Sequence, residues 1–375
     1  MEAVKILIVG DFCASNPSSL NIGSSLFDLM SNADLKCVNF EGPIKSNQYK
    51  SVNNNYLPQS NASPQWLIDN GFNLILLANN HSRDYGDAGL VATIDAFKDV
   101  YNLGGCYGWK DAYKVNYIEI KGIKIGLFNA TSADFSALID EWTDYNKYGS
   151  AWINHPSIPL IISDAKKNCD YLIVLPHAGV EYMDVPLPEW RTIYRNLIQA
   201  GADAVIATHP HVPQGMEIYQ GKPIYYSLGN FVFDTIPPSQ QLNWYKGLAV
   251  QLNIDKEGIC ASHYPISYSQ NIVDIDFSSE MAQYIASLSS ILNDPNEYMK
   301  KVDYEVSFFA NKYEQWMLDS WGAIKYHPLS WKLMPRLLYR ILKDRRNNNV
   351  FIHQLREEST RWCIIRSNIR KQTKA

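Results

Sequence analysis

Short apolar runs recur through the first 255 residues of the chain: VKILIVG, LKCVNF, FNLILLA, GIKIGLFNA, DYLIVLP, ADAVIAT, KPIYYSLGNFVF and LAVQLNI. Their length and their wealth of Val, Ile and Leu are those of strands covered on both faces of a sheet. Between several of them lie polar–apolar stretches of helix length, among them 64–70 and 188–200. Such alternation predicts βαβ units and a largely parallel sheet. From about 223 to 268 the runs follow one another without helices between, which predicts an antiparallel addition. After Gly258 the only glycine is Gly322, and the chain turns to Leu, Lys, Arg, Trp and Tyr. That shift predicts a helical C-terminal region from about residue 275.

The polar residues that follow these runs repeat a theme. VKILIVGD closes on Asp11, and LKCVNFEG closes on Asn39 and Glu41. LILLANNHSRDYG delivers Asn80, His81 and Asp84, and DYLIVLPHAGVEY delivers His177 and Glu181. ADAVIATHPHV ends on His209 and His211, and PIYYSLGNFVFD adds Asn230 and Asp234. Open α/β sheets bind ligands outside the carboxyl ends of their strands, so the recurrence marks a site. A single Asp or Asn there is ordinary turn chemistry, and a single His is an ordinary satisfied polar group. Carboxylates, a carboxamide and imidazoles converging on one edge form a mixed oxygen and nitrogen site for Mn, Fe, Zn or Mg, with room for two ions. In His-Pro-His, Pro210 fixes its own φ and biases His209 toward an extended conformation, so a rigid pair can address neighbouring ions at little entropic cost.

Composition narrows the setting. The apolar and charged fractions, 46% and 19%, are those of an ordinary globular protein. Six cysteines, at 13, 37, 106, 169, 260 and 363, show no CxxC spacing and read as reduced cytosolic thiols. The N-terminal MEAVKILIVGDF is too briefly apolar for a signal peptide, and no run is long enough to cross a membrane. The expected location is therefore cytoplasmic. The net charge of −4 hides an asymmetry: from Lys325 onward, thirteen Lys and Arg face three Asp and Glu. The tail carries +10 and the preceding chain −14. An acidic body repels phosphate backbones, which argues against a nucleic-acid partner.

The motifs GD at 10–11, NFEGP at 39–43, NNHSRDYG at 79–86, HAGVEY at 177–182, HPHVPQG at 209–215 and YSLGNFVFD at 226–234 resemble, in order, those of the CapA family. These are poly-γ-glutamate capsule synthesis proteins of the calcineurin-like metallophosphoesterase superfamily. The resemblance implies an α/β fold, a layered α/β/β/α sandwich over 1–270, with 271–375 as a helical basic extension. It implies two divalent metal ions. Asp11 and His211 would serve the first, Glu41 would bridge, and Asn80, His177 and His209 would serve the second. His81 would stand beside them as the catalytic group, while Asn39, Asp84, Glu181, Asn230 and Asp234 would contact substrate or support the ligands. Three departures stand out, one of them Ala207 and Thr208 before the His-Pro-His, where relatives often show Gly-His. Cys13 occupies the place of the superfamily's usual histidine two residues after the first aspartate, and Glu41 replaces its bridging aspartate.

The activity so implied is hydrolysis, most simply of a phosphoester in a phosphorylated or polymer-precursor substrate of capsule or envelope synthesis. Two alternatives are a non-catalytic, metal-stabilised subunit of a polymer synthesis or export complex, and a hydrolase of γ-glutamyl amide bonds. The tail adds an expectation of its own. Arg336, Arg340 and Lys343 recur on one helical face after Pro335, with Leu337, Leu338, Ile341 and Leu342 opposite. That pattern suits a peripheral membrane or envelope-assembly partner at the inner face of the membrane, and equally a helix packed on a domain.

Overall fold

The computed structural model describes residues 2–45, 57, 59–133, 137–140, 145–234, 243–320 and 356–373. The chain divides into two compact units, Met1–Tyr298 and Met299–Ala375. Among the described residues the first unit has a three-stranded sheet, of Cys106–Tyr107, Tyr148–Ala151 and Leu138–Ile139, and two large ones. In one, nine described strands run Asn21–Ile22, Ile272–Ile275, Ile259–Ser269, Lys246–Ile254, Val4–Cys13, Leu35–Phe40, Leu74–Leu76 and Tyr101–Leu103, with Asn230–Phe233 also pairing to Val4–Cys13. In the other, six run Met216–Tyr219, Lys222–Tyr225, Ala204–Ile206, Tyr171–His177, Ile123–Thr131 and Asn116–Ile120.

The side-chain alternation of the Val4–Cys13 strand shows how the layers form. Val4, Ile6 and Ile8 face the second sheet, where they meet a core containing Ile125, Leu127, Ile173, Leu175 and Ile206. Leu7 and Val9 face the other way, into a core with Leu26, Met30, Leu67 and Phe97. The helices Ser24–Ser31 and Ser63–Asp69 supply the first three of those residues. A strand buried on both faces needs apolar residues at successive positions, which is what Ile6 to Val9 provide, with the partly exposed Lys5 near the strand's start. On the far side of the second sheet, helix Pro188–Ala200 buries Trp190, Tyr194, Leu197 and Ile198, one stripe at helical spacing. Helix Ile158–Lys166 packs beside it. The result is the α/β/β/α layering expected from the sequence.

Three details differ from the reading of the chain. The sequence closes the first strand at Gly10-Asp11, whereas the strand continues to Cys13. Its register slips between Ile8 and Asp11 against one neighbour and between Asp11 and Phe12 against the other. Such irregularities re-aim a side chain without ending the strand. KPIYYSLGNFVF is not one strand of an antiparallel addition. It splits around Gly229 into Lys222–Tyr225, parallel to Ala204–Ile206 in one sheet, and Asn230–Phe233, parallel to Val4–Cys13 in the other. Only Lys246–Ile254, Ile259–Ser269 and Ile272–Ile275 form the expected antiparallel run. The unit also extends past residue 270, because Ile272–Ile275 is a strand of the first sheet and helix Ser279–Asn293 adds Met281, Ile285 and Leu288 to the inter-sheet core.

The second unit comprises most of helix Pro295–Ser320 and the helix Glu358–Thr373, joined by an ion pair between Asp303 and Arg370 at 2.6 Å. The amphipathic segment around Pro335, Arg336, Arg340 and Lys343 lies outside the described residues. No helix among the described residues is long and apolar enough to cross a membrane.

Gly10 and Gly229 meet where the two parallel strands converge. A Cβ on Gly10 would stand 1.8 Å from the Gly229 carbonyl oxygen, and the next residue, Asp11, donates its N–H to that oxygen at 3.1 Å. We expect Gly10→Ala to lose about 3 kcal/mol or more in urea unfolding, at the upper end of overpacking costs, because backbone rather than a side chain must move. Gly221→Ala, at φ +76° with nothing within 4 Å, should lose only about 1–2 kcal/mol of left-handed strain. Equal losses would show that the close approach does not constrain the fold.

Candidate metal centre

Several separate segments bring in the polar residues of the site, singly or in pairs. Asp11 comes from the irregular stretch of the first strand, and Asn39 and Glu41 from the end of Leu35–Phe40 and the residue beyond. Asn80 and His81 follow Leu74–Leu76, and His177 is the last residue of Tyr171–His177. His209 and His211 lie in the loop after Ala204–Ile206, both with positive φ, +103° and +60°. Non-glycine residues pay for such conformations with strain, which persists where surroundings hold them and which clusters at functional sites. Asn230 opens its strand instead of closing it, in register with Asp11. All of these side chains are buried.

Their atoms converge on two neighbouring groups. In one, His177 Nε2 stands 3.0 Å from Asn80 Oδ1, 3.1 Å from His209 Nδ1 and 3.9 Å from Glu41 Oε1. In the other, His211 lies 3.6 Å from Glu41 Oε1 through Nε2 and 3.6 Å from Asp11 Oδ2 through Nδ1. Glu41 belongs to both. Ligands held at about 2.1 Å from one ion stand about 3.0–3.4 Å apart; the Asn80 and His209 spacings from His177 Nε2 fit a shared cation, and Glu41 at 3.9 Å stands farther out. Asn39 Oδ1 is buried without a hydrogen-bond donor, as expected where a polar group belongs to an ion or water site. Imidazole, carboxylate and carboxamide, with no thiolate, suit a divalent ion of the Mn, Fe or Zn kind. The residues fit such a group.

Around the ligands, a buried net fixes each group. Asn39 Nδ2 donates to Asp11 Oδ1 at 2.8 Å and lies 3.1 Å from His177 Nδ1, which also meets Thr208 Oγ1 at 3.0 Å. The His209 N–H donates to Asp11 Oδ2 at 3.1 Å. Asn79 accepts the Gly42 N–H and donates to the Phe40 carbonyl, pinning the turn that carries Glu41. Gln59 donates to the carbonyls of Phe12 and Glu41 and accepts from the Ala14 N–H, tying the two carboxylate-bearing segments together. Gln59 escapes a reading of the chain, because neither a strand end nor a metal-competent side chain marks it, and Thr208 shows there only as a departure beside His209.

The remaining candidates take distinct places. His81 belongs to neither ligand group; its Nδ1 pairs with Asp84 Oδ2 at 2.8 Å, and the same oxygen accepts the Leu57 N–H. Glu181 is half-buried and acts on His209 through its charge. Asp234 accepts from the N–H and hydroxyl of Ser15 and the N–H of Asn16, strapping the loop after the first strand. Cys13 is buried against Phe233 and Trp244, and burial first, then the charges of Glu41, Asp234 and Asp84, pushes its thiol far up. It packs as a neutral apolar group.

Burial also sets protonation. It drives His177 well below the ordinary imidazole range, helped by repulsion from His209, His211 and His81, and it drives His209 down to about 3. Both rings are thus held neutral, with lone pairs available at physiological pH. Asp11 is raised by burial against the pull of His211 and the His209 N–H. For the histidines, the unfolded chain takes up protons first as pH falls. The stability of chelator-treated protein should therefore be full above about 6.5 and fall toward lower pH, by up to about 1.4 kcal/mol per unit for each ring. Asp11 has the opposite sign, since its raised folded value costs stability at neutral pH and the cost is relieved on acidification. Two rings oppose one carboxyl. Urea midpoints between pH 7 and 5 should fall for the wild type and flatten in His177→Gln/His209→Gln; an equal slope in both would show that the rings are not held neutral.

Comparison with known proteins places this geometry. Residues 14–235 match the family described as bacterial capsule synthesis protein PGA_cap. The chain is 34% identical over 215 residues to the capsule biosynthesis protein CapA of Bacillus anthracis, covering 55% of this chain and 52% of that one. It is 33% identical over 207 residues to the PGA biosynthesis protein CapA of Bacillus subtilis (strain 168), covering 54% of each. The chain thus spans about half the length of these curated relatives. A hypothetical protein from Thermus thermophilus superposes with a TM-score of 0.45 at 15% identity, over 71% of this chain and all of that one, a likeness too slight to build on. The match from residue 14 to 235 covers more than half of the sequence and spans the segments that bring in Glu41, Asn80, His177, His209 and His211, so the chain belongs to the bacterial capsule synthesis protein family PGA_cap.

Proposed function

We propose that the protein is a metal-dependent hydrolase, most simply a phosphoesterase, acting on a phosphorylated intermediate in the synthesis of a capsule or other envelope polymer. The observation that carries this reading is His81. It lies outside both ligand groups, next in sequence to the ligand candidate Asn80, and is held through Nδ1 by the buried Asp84 carboxylate. A structural metal site has no use for such a pair. Glu41, shared by both groups, would bridge two ions, with Asp11 and His211 on one and Asn80, His177 and His209 on the other. When bound, divalent ions supply Lewis acidity toward a phosphoryl oxygen and toward water. Asp84 keeps the Nδ1 side of His81 occupied, so His81 exchanges its proton with the leaving oxygen through Nε2.

A second reading, a non-catalytic subunit of a polymer synthesis or export complex, is favoured by Cys13, which leaves the Asp11, Glu41 and His211 group one ligand poorer. A third reading, hydrolysis of a γ-glutamyl amide bond, rests on the resemblance to poly-γ-glutamate capsule synthesis proteins. The basic tail would recruit either form to a membrane or envelope partner.

Purified full-length protein should carry one to two divalent equivalents, released by chelator, and cleave members of a panel of phosphomonoesters, phosphodiesters and γ-glutamyl peptides. His81→Ala should keep its metal and lose about 10²–10⁴ in rate, the usual worth of general acid assistance. His209→Ala/His211→Ala should lose metal and activity together. Metal retained by that double variant would overturn the ligand assignment, and metal lost from His81→Ala would make His81 a ligand. Cleavage of γ-glutamyl peptides alone would move the reading to the amide, and metal without any turnover would favour the subunit.

A further inference from the structure

The His211 ring sits in an aromatic box. Tyr182 lies nearly parallel to it at 6.1 Å, Trp244 stands at 5.1 Å, and Phe233 presents an edge at 4.9 Å. The box fixes the plane of the ring and leaves open which nitrogen carries hydrogen. That choice decides which nitrogen has a lone pair to offer. Neighbouring groups of fixed polarity make it.

Asn230 is buried, and its Nδ2 lies 3.0 Å from the Trp244 carbonyl oxygen. A backbone carbonyl only accepts, so the NH2 end of the amide must be the end that faces Trp244. Its Oδ1 is thereby turned to His211, 3.0 Å from Nδ1. An amide oxygen also only accepts, so Nδ1 must carry the hydrogen. In the neutral ring Nε2 is then bare, and Nε2 is the nitrogen that lies 3.6 Å from Glu41 Oε1. The Asp11 carboxylate, 3.6 Å from Nδ1, favours a hydrogen on the same side. Nothing in this chain of donors and acceptors requires the hydrogens to be seen. Trp244 is itself anchored, its indole N–H donating to the Phe233 carbonyl at 3.2 Å, and Asn230 is held in strand register with Asp11.

We infer that Asn230 is a positioning residue: held by the Trp244 carbonyl, it locks His211 in the Nδ1–H tautomer, so that Nε2 is the nitrogen offered beside Glu41. It acts through His211 and touches no substrate. The part of this inference that concerns an ion rests on the metal-centre reading; the tautomer does not. Asn230 thus does for the Asp11 side of the centre what a carboxylate commonly does behind a ligating histidine, and it does so without adding negative charge to a pocket already holding Asp11 and Glu41. Leucine at 230 would keep the volume and remove the acceptor. Aspartate would keep the acceptor and lose the donation to Trp244.

The test begins with metal-free, full-length protein carrying 15N-labelled histidine, with the His211 signals identified by their loss in His211→Gln. Long-range 1H–15N correlation at neutral pH should show His211 with its hydrogen on Nδ1. A ring protonated on Nε2 overturns the proposal whatever the protein does with metal. In Asn230→Leu the tautomers should mix, and Mn2+ titration should show one site weakened by about 10–100-fold with the other unchanged, as for other outer partners of ligating histidines. Asn230→Asp should restore the Nδ1–H signature and bring that affinity back to within about tenfold of wild type. An unchanged signature in Asn230→Leu counts against the proposal. Should Asn230→Leu not fold, the wild-type and Asn230→Asp spectra decide. Wild-type protein that binds no metal would sink the hydrolase reading, while its His211 spectrum would still decide this one.

Discussion

Two carboxylates, three carboxamides and three imidazoles share one buried volume, and much of the arrangement follows from satisfying them there. Asp11, Asn39, Glu41 and His177 have no measurable exposure. A buried charge without partners is far costlier than a buried methyl, so each of these groups must be met by a donor, an acceptor or a cation. The protein supplies much of this from side chains that hold no ion: Asn39 and the His209 N–H on Asp11, Thr208 on His177, Asn230 on His211. Desolvation keeps His177 and His209 neutral, which is the state that binds a metal.

The fold makes this density possible because two sheets end at one edge and the connecting loops close over it. Glycines at 10 and 229 let two parallel strands approach more closely than any side chain would permit, and that approach sets Asp11 beside Asn230. Slips in the pairing of the first strand then aim Asp11 out of the regular alternation. The ends of the site are tied by carboxamides rather than by charges: Gln59 holds the segments carrying Asp11 and Glu41, and Asn79 holds the Glu41 turn. Neutral clips of this kind fix geometry without competing for a cation, and leave the charged groups for chemistry. Function then divides along the same line, with the ligand candidates buried in the net and His81, paired with Asp84, outside both ligand groups.

By itself the sequence determined the layers and the identity of the polar residues at the strand ends. Apolar runs such as VKILIV and DYLIVL can only be covered on both faces, and the spacing of Trp190, Tyr194, Leu197 and Ile198 can only be one face of a helix. Both are local patterns, legible because burial imposes a period on neighbouring residues. The tertiary structure decided what periodicity does not encode. It split KPIYYSLGNFVF between two sheets at Gly229, carried the first strand past Asp11, and turned Asp234 into a strap on Ser15 and Asn16. It also recruited Gln59, a residue with no local signature, and gave Thr208 a partner in His177. The physical reason is the same each time: a hydrogen bond between residues far apart along the chain, or a contact between two glycines, depends on the path of the backbone, and no short window of sequence contains both partners.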